Sequence, residues 1–186
     1  MTPRIPPLAA ADSPPELHKT LESLTPPGSD HPLNIFRTLA HHPKLLRDYL
    51  PFGSRLLLGG ELPARDRELV ILVTAHLCGC SYEWDHHTRM AKAAGVNVGE
   101  VERVRLGPGS DRWAPEDAVL VEAAEELVSH HGLSHPTWSL LAARYSQRQL
   151  LELTMLVGHY AMLAGMLNSA GVERDPTVAG APDGKG

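Results

Sequence analysis

The chain has 186 residues, room for one domain or at most two. Its 17 Lys and Arg against 22 Asp and Glu give a formal net charge of −5, which excludes a basic surface for nucleic acid or anionic membranes. Hydrophobic residues at 42% support a packed core, and two cysteines one residue apart, Cys78 and Cys80, exclude a disulfide scaffold. No apolar run approaches the ~20 residues of a membrane span and the N-terminus lacks an apolar signal core, so a soluble, cytoplasmic chain is expected.

Eight of the 16 prolines fall within the first 32 residues. Proline lacks an amide donor and disfavours helix in the residue before it. Residues 1–32 are therefore expected to be largely disordered, apart from a helical turn over Glu16–Leu24. Helices are predicted over Leu33–His41 and Pro43–Leu58, the second strained or ended near Pro51. Pro63 marks a first helical position, after which Leu69, Leu72, Val73 and His76 recur at helical spacing. A helix over Ser81–Ala94 ends at Gly95, a left-handed cap. Asn97 with Glu100 forms a capping box for a short helix to Arg105. Pro115–His130 is the next helix and ends at Gly132. Ser146 with Gln149 caps a long last helix that stops before Gly171 and is apolar nearly all round, fit for a central position or a subunit interface. Residues 173–186 read as a flexible tail. The expectation is one all-α domain over residues 33–172.

The chemistry concentrates in Glu68, Cys80, Glu83 and His87, spaced Glu-x11-Cys-x2-Glu-x3-His. Cys80 falls at the N-terminus of the Ser81–Ala94 helix, where free N–H groups and the helix dipole lower a thiol's pKa. Glu83 and His87 are four residues apart and share one helical face. The preceding helix can return Glu68 to the same place. A carboxylate and an imidazole within reach of each other form an acid/base pair, and burial raises a Glu pKa towards neutrality.

Several stretches resemble the carboxymuconolactone decarboxylase-like family of the alkylhydroperoxidase superfamily. They are Ala64-Arg65-Asp66-Arg67-Glu68-Leu69-Val70, Gly79-Cys80-Ser81-Tyr82-Glu83-Trp84-Asp85-His86-His87, Ala93-Ala94-Gly95, Leu156-Val157-Gly158-His159-Tyr160 and Leu167-Asn168. The resemblance implies an all-helical bundle that assembles as trimers or hexamers and works on a small molecule without metal or cofactor. The family's peroxidase branch has Cys-x2-Cys-x3-His with an upstream relay Glu. Glu83 stands here at the second cysteine, and a carboxylate cannot pass through sulfenic acid and disulfide. The decarboxylase side of the family implies proton transfer, decarboxylation or isomerisation on an anionic or enolisable substrate. In that reading Glu83, His87, Glu68 and Cys80 form the working group, and Tyr82, Trp84, Arg67 and His159 line the pocket. Arg65, Arg67 or Arg89 would hold a substrate carboxylate. Two other classes stay open: a thiol hydroperoxide reductase using Cys80, and a non-catalytic oligomer that binds a small ligand.

Each residue also has a structural reading. Glu83 can be a plain helix cap, Cys80 a small buried hydrophobe, and Glu68 an ion-pair partner of Arg65 or Arg89. His76 and His159 read as hydrogen-bonded core histidines. His41-His42 and His130-His131 read as solvated helix ends. A mixed Cys/Glu/His metal site is the least supported reading.

Overall fold

A computed structural model describes residues 2–107 and 113–176. Among these residues the regular structure is α-helical with two 3₁₀ turns, and no strand is present. The helices are α1 (His18–Ser23), α2 (Asn34–Leu39), α3 (Pro43–Leu58), α4 (Ala64–Leu77), α5 (Ser81–Ala93), α6 (Val98–Val104), α7 (Pro115–His130), α8 (His135–Ala142) and α9 (Gln147–Ala170). The chain divides into two compact units, Met1–Pro51 with Leu167–Gly186 and Phe52–Met166.

In the first unit the Pro-rich segment carries two 3₁₀ turns and α1. Pro15 opens a 3₁₀ turn, because its fixed φ suits the first position of a tight helix. The turn and α1 then bury Leu17 and Leu21. Leu8 donates its N–H to the Arg37 carbonyl at 3.2 Å, and Arg37 Nε returns a bond to Leu8 O at 2.8 Å. Of the expected tail, residues 173–176 are described and 177–186 lie outside the described residues. Asp175 Oδ1 accepts from Asn34 N at 2.8 Å, and Glu173 O from Asn34 Nδ2 at 3.1 Å.

The second unit carries the larger core. α4 is buried over Asp66 and from Glu68 through Ala75, so its middle lies in the core while its two ends stay open. Leu69, Ile71 and Leu72 of α4, Leu120 and Ala124 of α7, and Leu150, Leu153 and Leu156 of α9 belong to one apolar cluster. The long last helix was expected to be apolar nearly all round, and it is buried on one side only. Leu151, Met155 and Met162 stay exposed. By length and composition α9 could also span a membrane, with a mean hydropathy of 1.5 over its best window, half of that window being buried in the protein.

Punctuation differs in three places. Helix α3 runs through Pro51 instead of ending there; the lost amide bond is one contact, while Leu46 and Leu56 are buried to either side of it. Helix α8 follows a Ser134 cap that the sequence reading did not use. The left-handed residue after α7 is His131, with φ 58°, and not Gly132. The capping box of α6 is present as expected: Asn97 Oδ1 accepts from Glu100 N at 3.0 Å, and Glu100 Oε2 from Asn97 N at 2.8 Å. His42 does not sit at a helix's negative end, because its Nδ1 accepts from Leu45 N at the start of α3.

The first turn of α4 is held by a charge network. Asp66 Oδ2 accepts from Arg144 Nη2 and from Tyr145 Oη, both at 2.7 Å. Arg65 grips both oxygens of Asp117 at 2.7 and 2.8 Å, and also Glu100 at 2.8 Å. Truncating Asp66 to Ala leaves the buried Tyr145 hydroxyl unpaired. Asp66→Ala should cost about 1–3 kcal/mol in a denaturant titration, through the desolvation of that hydroxyl alone.

Candidate functional site

Two helices build the site. Gly79, with φ +59°, turns the chain between α4 and α5 in a conformation that a side chain would strain. Cys80 follows as the N-cap residue of α5, as its spacing implied, but its side chain makes no capping bond. Glu68 lies on α4, and Glu83 and His87 are one turn apart on α5; all three and Cys80 are buried.

The structure joins Glu68 to His87. Glu68 Oε2 lies 2.8 Å from His87 Nδ1, and Arg67 reaches Glu68 Oε1 with both Nε and Nη2 at 3.2 Å. A carboxylate only accepts, so Nδ1 donates to it, and Nε2 is the ring nitrogen this bond leaves over. The ion-pair partner of Glu68 is therefore Arg67, neither Arg65 nor Arg89. On its other side the His87 ring meets Tyr160 of α9 edge-on, with ring centres 4.9 Å apart. Tyr160 packs against His159 at 5.3 Å, and His159 against Phe52 at 5.3 Å. Burial lowers the His159 pKa. Tyr160 had no role in the sequence reading; a tyrosine next to a singled-out histidine on an apolar helix was the available sign.

Glu83 stands in a different environment. It is 2% exposed, and no nitrogen or oxygen donor meets its carboxyl oxygens; the Cys80 thiol is the polar group beside them. Burial pushes its pKa up to about 8, against a smaller opposing pull from the Cys80 thiol nearby. The helix N-terminus does not make Cys80 a thiolate. Burial first and the Glu83 charge second push that thiol up to about 12, outweighing the backbone N–H groups of Glu83 and Tyr82 that pull it down. Burial also raises Cys78, and the two cysteines remain free thiols.

The other singled-out residues make contacts of their own. Tyr82 packs its ring on His86 at 4.7 Å. Trp84 lies 5.9 Å from His76 and has the Arg105 guanidinium 4.8 Å above its ring. His76 is exposed, so it is not a core histidine; it sits in the open last turn of α4. Arg65 is committed to Asp117 and Glu100, which raise its pKa further. Arg89 is exposed and donates to its own helix at Asp85 O, 3.3 Å away. Among the described residues no group of three or more His, Cys, Asp or Glu is arranged to hold a metal ion.

Residues 43–126 match the profile of the Carboxymuconolactone decarboxylase family. No curated protein matches the chain in sequence. Solved structures do match in fold. The alkylhydroperoxidase AhpD core of an uncharacterized peroxidase-related protein from Ralstonia eutropha JMP134 gives a TM-score of 0.80 at 17% identity, covering 95% of this chain and 94% of that one. An uncharacterized peroxidase-related protein from Silicibacter sp. TM1040 gives 0.80 at 16%, covering 97% of each. The debrominase Bmp8 gives 0.75 at 16%, covering 94% of this chain and 93% of that one. A cysteine-to-alanine form of Bmp8 was solved with 2,3,4-tribromopyrrole. At these identities the likeness is one of fold.

The raised Glu83 value has a consequence for stability. The folded chain keeps a proton that the unfolded chain releases near 4.5. Its stabilising contribution is complete below that pH and is lost as pH rises through about 8. Thermal unfolding followed across this window should show a falling melting temperature for the native chain. In Glu83→Gln that slope should flatten, since the amide stays neutral throughout.

Proposed function

Residues 43–126 belong to the carboxymuconolactone decarboxylase family, and from that premise we propose that the chain is an acid/base enzyme in which Glu83 gives a proton and His87 takes one. The observation that carries this reading is the buried Glu83 carboxyl, which no cation or N–H meets and whose pKa burial pushes up to about 8. Such a group donates a hydrogen bond to an oxygen that gains negative charge, and then the proton itself. His87 presents Nε2 as the base, because Glu68 holds Nδ1. Arg67 balances the Glu68 charge, so the Glu68–His87 pair stays ionically closed while Nε2 works. The substrate class that fits is a small enolisable compound undergoing proton transfer, isomerisation or decarboxylation. Both proton positions are filled by side chains, and the chemistry needs no cofactor.

A thiol hydroperoxide reductase would need Cys80 as thiolate, which burial opposes. It would also need a partner thiol where Glu83 stands. Proton chemistry is therefore the better reading.

Hydrogen–deuterium exchange into a panel of enolisable carboxylates tests it. Given the fold shared with Bmp8, small halogenated pyrroles belong in the same panel. Glu83→Gln and His87→Ala should each lower the rate by roughly 10²–10⁴-fold, while Cys80→Ser keeps most of it. The native rate should fall as pH passes about 8, where Glu83 loses its proton. Loss in Cys80→Ser with retention in Glu83→Gln would move the assignment to the thiol.

A further inference from the structure

A cavity of about 500 Å³ lies in the first unit and is lined by residues between positions 8 and 37. None of Glu68, Cys80, Glu83 and His87 lines it. Its volume is in the range of small-molecule pockets. The walls are Pro-rich chain held in place by hydrogen bonds. Arg37 Nε donates to Leu8 O at 2.8 Å and Nη1 to Asn34 Oδ1 at 3.2 Å, which ties the two ends of the span together. His18 Nε2 lies 2.9 Å from Ser13 O, and the buried Ser13 donates its hydroxyl to Ala9 O at 3.2 Å. Pro27 and Gly28, the latter with φ 79°, form a turn closed by Ser29 N on Pro26 O at 3.0 Å. The turn returns the chain to the cavity at Asp30.

The lining divides by exposure. Leu21 is 6% exposed, Leu8 and Pro32 are half-buried, and together they give an apolar interior. Glu22 and Asp30 are exposed, which sets their carboxylates at the mouth. Among the described residues neither forms an ion pair, whereas Glu16, close by in sequence, reaches Arg47 at 4.0 Å. The Arg37 guanidinium does not answer them, because Nε and Nη1 are turned to neutral oxygens of Leu8 and Asn34. We propose that this cavity is a second ligand site, which takes a small organic cation: an ammonium group on an apolar body. The body lies against Leu8, Leu21 and Pro32, and the ammonium sits between Glu22 and Asp30. Two carboxylates at the mouth attract such an ion, and the Arg37 charge in the lining turns its ammonium outward toward them. The body gains by leaving water for the apolar interior. An anionic ligand meets the opposite field, with two like charges at the entrance. The inference does not depend on the acid/base reading.

The test is isothermal titration calorimetry of the full chain with three probes of similar body: 2-phenylethylamine, 2-phenylethanol and 3-phenylpropionate. The amine should bind about 5–30-fold more tightly than the alcohol, and 3-phenylpropionate more weakly than either. The double variant Glu22→Gln with Asp30→Asn should bring the amine to the affinity of the alcohol. Its circular dichroism should be unchanged, because both side chains are exposed. Ala10→Phe, which puts a ring into the cavity from an exposed position, should weaken amine and alcohol alike. Glu83→Gln, in the second unit, should leave the amine affinity unchanged. No amine binding at millimolar concentration overturns the proposal, as does equal affinity for amine and alcohol. Amine binding indifferent to the double variant or to Ala10→Phe overturns it too. Tighter binding of 3-phenylpropionate would give the cavity to Arg37 and an anion, and loss of the amine in Glu83→Gln would move it to the buried carboxyl; either result overturns the proposal as well.

Discussion

A helix buried along its length can keep a carboxylate only if a cation or donors are buried with it, and α4 carries two. Asp66 is answered by Arg144 and Tyr145, Glu68 by Arg67 and His87. Much of the second unit follows from this requirement. The Asp66 and Arg65 pairs tie the first turn of α4 to α6, to α7 and to the segment before α9. The Glu68 pair ties its second turn to α5. The bond that makes Glu68 tolerable is also the bond that fixes the His87 ring and its tautomer. Structural need and site geometry are here one contact.

Glu83 shows the other outcome of the same rule. It is as buried as Glu68, but no cation or N–H meets its oxygens. A carboxyl in that position lowers its free energy by keeping its proton, which is why its pKa rises while Glu68 sits in an ion pair. Two buried carboxyl groups thus meet different surroundings: Glu68 is held by Arg67 and His87, and Glu83 meets no cation. The Cys80 thiol obeys the same balance. A helix N-terminus offers partial charge within one turn, whereas burial removes nearly all solvation, and the larger effect prevails.

The all-helical class was legible because helix punctuation is local: Asn97 with Glu100 and Ser146 with Gln149 form the capping bonds that their spacing predicts. Glu83 and His87 on one face of α5 was legible for the same reason. What failed was everything decided by depth. Exposed His76 and buried His159 look alike in a string of apolar neighbours, and the dipole argument for Cys80 took no account of burial. Spacing could not choose the partner of Glu68 either. Arg65 and Arg89 were the candidates, yet Arg65 is taken by Asp117 and Glu100, and adjacent Arg67 folds back instead. The Pro-rich segment shows how one residue type can serve two local structures. Proline limits α-helix, but it presets the φ of a 3₁₀ turn, and Leu17 and Leu21 give such turns something to bury.

The two sides of α9 answer to different constraints. Its inner side must fill the core with Leu153, Leu156 and Val157 and place Tyr160 edge-on to His87. Neighbours in a helix diverge by about 100°, so once His159 and Tyr160 face inward, Gly158 and Met162 are forced outward. The outer residues are free of that duty, and solvent alone would favour charge and alanine there over methionine and glycine.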